Sequence, residues 1–99
     1  MKKRITTHPG AILDKEYLVP LNISARKLAG AIDVPANRIT KIIRQERSLT
    51  PDTALRLAKY FGTTPGFWMN LQINYDLSKA AIEAAKDISK IKALETIAA

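Results

Sequence analysis

The sequence predicts an all-α fold, and three observations carry that expectation. Apolar residues recur at i, i+3, i+4, i+7 in successive stretches, as in Ala25, Leu28, Ala29, Ile32 and again in Ala54, Leu57, Ala58, Phe61. Two segments open with a capping residue followed by proline, Thr50-Pro51 and Thr64-Pro65. The segment after Asp76 is rich in alanine and lacks proline and glycine. A chain of 99 residues is one domain's worth, so these helices must share one modest core.

The first seven residues read as a tail, whose Met1-Lys-Lys-Arg4 start is either an arm that touches phosphates or a solubilising terminus. Helix one is expected to begin near Thr7, a candidate cap, or Pro9. Ile12, Leu13 and Tyr17 form its apolar side, and Pro20 is expected to end it. Asn22 suits a left-handed passage into helix two. That helix starts at Ser24 and turns a narrow stripe of small apolar residues to a neighbour, with Arg26 and Lys27 off the stripe. Asp33-Val34-Pro35 breaks it, because proline disfavours helical geometry at the residue before it.

Helix three, within Asp33 to Glu46, is the candidate functional element. At about 100° per residue, Ala36, Ile39, Ile42 and Ile43 gather on one side. Asn37, Thr40, Lys41 and Arg44 gather on the other, with Arg38 and Gln45 at the edge and no carboxylate before Glu46. Two short helices, a tight turn and a basic outer face on the second describe a helix-turn-helix. Amide, hydroxyl and cationic groups on that face suit base edges and phosphates. Asn37, Arg38, Thr40, Lys41 and Arg44 are the expected DNA-facing set, with Arg26, Lys27 and Arg47 placing phosphates. The net charge of +7 favours a polyanionic partner.

A polar loop with one apolar anchor, Leu49, leads to helix four, which Gly62 should close. Helix five carries Phe67, Trp68, Leu71 and Tyr75, with Met69 and Ile73 widening its apolar arc. Trp68, Leu71, Ile73 and Tyr75 are the candidates for a dimer surface, with internal core the competing reading for each. The natural division is a domain over 1–77 and a helical extension over 78–99. In the extension Ile82, Ala85, Ile88, Ile91, Leu94 and Ile97 recur every third residue, a period that drifts around an α-helix. Either the helix breaks, near Ser89, or its apolar groups serve several neighbours.

Cysteine is absent and His8 is the single histidine. No glycine-rich phosphate loop or paired acids appear, so neither an enzyme, a metal site nor a cofactor is expected. His8 reads as a helix-start residue. No apolar run reaches membrane-spanning length and none follows the charged start, so a cytoplasmic protein is expected.

Three stretches carry a family resemblance: His8-Pro9-Gly10; Thr53-Ala54-Leu55-Arg56-Leu57-Ala58 with Phe61-Gly62-Thr63; and Phe67-Trp68-Met69-Asn70-Leu71-Gln72 with Tyr75-Asp76-Leu77. With Leu28-Ala29, Val34 and Ile39 they make the chain resemble the XRE, or lambda-repressor-like, helix-turn-helix family, and within it the HigA/VapI-type antitoxins. The resemblance covers about residues 8 to 77. It implies a five-helix domain that dimerises, binds a palindromic double-stranded DNA operator, represses its own promoter and neutralises a cognate mRNA-cleaving toxin protein. A stand-alone regulator and an interaction module without DNA binding are the alternatives. The sequence departs from the family at Asp33, where glycine is common, at Ala25, where glutamine is common, and at Pro35, where a serine-type cap is usual.

Overall fold

The computed structural model describes residues 4–95, which contain helices and no strand. Of the basic start, Met1, Lys2 and Lys3 lie outside the described residues, as does Ile97 of the expected apolar row.

Helix α1 occupies residues 9–21 in three joined pieces: Pro9–Ile12, a wide π turn Leu13–Leu18, and Val19–Leu21. Its cap is His8 rather than Thr7. The imidazole Nδ1 accepts from the Gly10 N–H at 2.9 Å. The ring is buried and packs edge-on against Tyr75, with centroids 4.8 Å apart. Pro20 does not end the helix; it continues to Leu21. In the π turn the Val19 N–H bonds to the Asp14 carbonyl five residues back. That wider winding accommodates a residue with no N–H and a bulky ring. Asn22 then turns left-handed, φ 55°, and stops it.

Ser24 caps α2, Ala25–Ile32, by accepting from the Lys27 N–H at 3.0 Å. Asp33 is left-handed at φ 59°, which aspartate tolerates better than most residues. Pro35 is extended, and α3 runs Ala36–Ile43. It stops short of Glu46. Gln45 is left-handed at φ 64°, and the Glu46 N–H returns to the Lys41 carbonyl at 2.9 Å, closing a Schellman-type end. Gly62, φ 74°, closes α4, Pro51–Phe61. Thr64 accepts from the Phe67 N–H at 3.1 Å and opens α5, Pro65–Glu83. A short α6, Ala85–Ser89, follows.

Leu13, Leu28, Ile39, Ile42, Leu49, Leu57 and Trp68 are wholly enclosed and form the centre of the core. Tyr17, Phe61 and Phe67 stack around Trp68, whose indole N–H donates to Thr63 Oγ1 at 2.7 Å. Trp68 therefore belongs to this protomer's own core and offers no surface to a second copy. Ala36, expected inside, is exposed. The junction between 77 and 78 falls inside α5, so no break in the chain separates a domain from an extension there. The helix breaks at Ala84, five residues before Ser89, where φ is −103° and ψ 9°.

Backbone approaches backbone where α1 meets α3. A Cβ on Gly10 would overlap the Ile42 carbonyl, so only glycine lets the two helices touch. Gly10→Ala should destabilise the fold by about 1–3 kcal/mol, the usual range for overpacking, and lower the thermal midpoint in a calorimetric scan. An unchanged midpoint would mean that α1 can shift freely off α3.

Burial pushes the His8 pKa below its ordinary 6.5, a shift that Asp76 opposes and Lys79 reinforces. The unfolded chain therefore takes up a proton that the fold excludes, so stability rises with pH through this window. Lowering the pH through 6.5 towards the depressed folded pKa should reduce the thermal midpoint. His8→Asn, which keeps a capping acceptor without titrating, should flatten that part of the profile.

Candidate nucleic-acid interface

The interface begins with the one side of α3 that the core does not use. Ile39 and Ile42 are fully buried and Ile43 is half-buried. Their burial turns Asn37, Lys41 and Arg44 outward, all three exposed. Among the described residues no carboxylate lies within ion-pair reach of Lys41 or Arg44. Thr40 is half-buried, and its hydroxyl donates back to the Asn37 carbonyl at 3.3 Å, so one donor is spent within the helix. Arg26 and Lys27, in the first turn of α2, are exposed beside it.

Arg38 stands apart from the other cations. Its Nη1 donates to Asp52 Oδ2 at 2.8 Å, and its Nε is buried without a partner. Part of its donor fork is thus already engaged within the fold, and its side chain is 25% exposed. Asp52 also accepts from Arg56 Nε at 3.0 Å. Arg56 reaches back to the end of α2 and donates Nη1 to the Ile32 carbonyl at 2.8 Å and the Asp33 carbonyl at 3.3 Å. The Arg56 hydrogen bond, with smaller help from Arg38, holds the Asp52 carboxyl below the usual range. One carboxylate thus links the start of α3, the start of α4 and the turn after α2.

Arg47 is exposed in the loop after α3, and the loop is pinned from behind. Buried Gln72 accepts from the Leu49 N–H through Oε1 at 2.7 Å and donates Nε2 to Asp76 Oδ1 at 2.9 Å. Sequence reasoning missed Asp52, Arg56 and Gln72 as supports. The Asp52–Arg56 spacing of four marks a helix-face pair, but the partners at Arg38, Ile32 and Leu49 come from tertiary packing.

Of the four residues expected at a dimer surface, Trp68 is enclosed, Leu71 packs half-buried on the core, and Tyr75 is half-buried against His8. Ile73 is exposed, and Leu77, Ile82 and Ile88 extend that apolar character along α5 and α6. Among the described residues no three His, Cys, Asp or Glu side chains converge as metal ligands, and no helix is long and apolar enough to cross a membrane.

Comparison with known proteins places this geometry. A family model described as Helix-turn-helix matches residues 15–68, from within α1 to the start of α5. Virulence-associated protein I of Dichelobacter nodosus is 51% identical over 73 residues, which is 74% of this chain and 68% of that protein. Antitoxin HigA-1 of Vibrio cholerae is 37% identical over 75 residues, 76% of this chain and 70% of that one. The structure of the Pseudomonas aeruginosa antitoxin HigA with the higBA promoter superposes with a TM-score of 0.87 at 41% identity, covering 92% of this chain and 99% of that one. The chain belongs to the XRE-type helix-turn-helix family and, within it, to the HigA-type antitoxins.

Proposed function

We propose that this protein is an antitoxin that binds an operator in its own promoter through α3, represses that promoter, and neutralises a cognate mRNA-cleaving toxin. It acts by binding and assigns itself no chemistry. The observation that carries the reading is the outward face of α3: Asn37, Lys41 and Arg44 exposed on a frame that a HigA antitoxin, 41% identical, shares in a structure with promoter DNA. Asn37 and Lys41 face base edges, while Arg44, Arg26, Lys27 and Arg47 meet phosphates. The protein works in the cytoplasm, on the nucleoid.

A palindromic site requires two copies whose α3 helices lie about 34–36 Å apart. We assign the pairing surface to Ile73 and the exposed residues beyond it, with Leu71 and Tyr75 at its margin. Leu77→Asp should convert a dimer to monomers in sedimentation equilibrium while leaving the thermal midpoint near the wild-type value. A dimer that survives both Leu77→Asp and Ile73→Asp would move the interface elsewhere.

Fluorescence anisotropy with a duplex from upstream of the gene tests the DNA reading. Lys41→Glu and Arg44→Glu should each weaken binding about tenfold or more, since a lost contact is worth about 1–3 kcal/mol. If the dimer neutralises about six phosphates, raising salt from 50 to 200 mM should weaken wild-type binding about a thousandfold. Mutants that bind as well as wild type would refute the assignment of α3. Co-purification with the product of an adjacent small gene distinguishes an antitoxin from a stand-alone regulator.

A further inference from the structure

We propose that Asp52 is a positioning residue for DNA recognition, holding the Arg38 guanidinium in the one orientation from which its free edge meets the operator. The proposal rests on the DNA-binding reading of α3. A carboxylate beside a DNA-binding face is at first sight a liability, because it repels phosphate. Here it is not free. Asp52 Oδ2 accepts from Arg38 Nη1 at 2.8 Å and from Arg56 Nε at 3.0 Å, and Arg56 is itself rooted in the Ile32 and Asp33 carbonyls. The carboxylate is thus fixed to the turn of the helix-turn-helix, and it fixes Arg38 to the same frame.

The arginine bears the marks of a directed group. Its side chain is 25% exposed, so most of it lies against the body. Nε is enclosed and one Nη1 bond is used, which leaves the Nη2 edge for DNA. An unrestrained arginine loses rotamer freedom when it binds. Here that loss is taken on folding, and the contact made afterwards is directional. Surface ion pairs add little to stability, so the effect of removing Asp52 should appear in recognition more than in the thermal midpoint.

The sign of the effect separates the explanations. Asp52→Ala removes a negative charge, and general electrostatics alone would strengthen binding to any duplex. If Asp52 positions Arg38, affinity for the upstream duplex should fall about tenfold, while affinity for a scrambled duplex of equal length and composition should stay level or rise. In an Arg38→Ala background the same change should cost nothing on the upstream duplex. Asp52→Asn, closer in shape, should lose discrimination too and serves if the alanine variant folds poorly. Affinities that rise together on both duplexes would make Asp52 a mere repulsive charge and overturn the proposal. So would affinities that fall together, or a full Asp52→Ala loss in the Arg38→Ala background. Wild-type protein that fails to prefer its upstream duplex would instead refute the DNA reading itself.

Discussion

The seating of Ile39 and Ile42 is the constraint from which the rest follows. An isolated helix the length of α3, eight residues, does not persist in water, because nucleation costs more than so few hydrogen bonds return. It exists here because both isoleucines are fully buried, worth about 1.5–3 kcal/mol each, in one core cluster with Leu28, Ala29 and Ile32 of α2. Gly10 completes the seat by letting α1 touch the Ile42 carbonyl. Rotating α3 by one residue would put Arg38 and Lys41 in that place one way, and Thr40 beside Ile43 the other. The polar side faces outward because the aliphatic side has one place to go.

The turns on either side set where the face begins and ends. Asp33 and Gln45 both adopt left-handed backbone, and neither is glycine. Asp33 was legible as a turn because Pro35 forces a break just after it. Gln45 was not: nothing in Lys41 to Glu46 signals a helix stop, and the stop comes from Leu49, whose burial and bond to Gln72 pull the chain away. Pro20 is the opposite case. A local rule ends the helix there, and the π turn before it overrides the rule.

Helix existence and the outward face of α3 were thus readable from spacing and caps, which are local properties. What escaped were relations between distant residues. Trp68 reads equally as core or interface from its own helix, and the aromatic rings of Tyr17, Phe61 and Phe67 decide for core. Arg38 reads as one more cation of α3 until Asp52, fourteen positions on, is folded beside it. His8 reads as a helix start, but its burial and lowered pKa depend on α5. Periodicity reports which side of a helix is apolar; it does not report which neighbour that side meets.

The same logic governs α5. Its first half is held by Trp68 and Gln72, both buried. Beyond Tyr75 no other helix of the body covers it as fully, and the molecule lengthens to 54 Å against 24 and 23 Å across. Leu77, Ile82 and Ile88 stay in water along this part and the short helix after it, with Leu77 64% exposed. Single exposed apolar residues are ordinary, whereas a run of them on a protruding helix is a surface with unused burial. Ala80, Ala81, Ala84 and Ala85 stand among them, small enough for another backbone to come close. A helix-turn-helix reading one half-site needs a second copy at a fixed distance, which is why the pairing surface proposed above is assigned to this stretch.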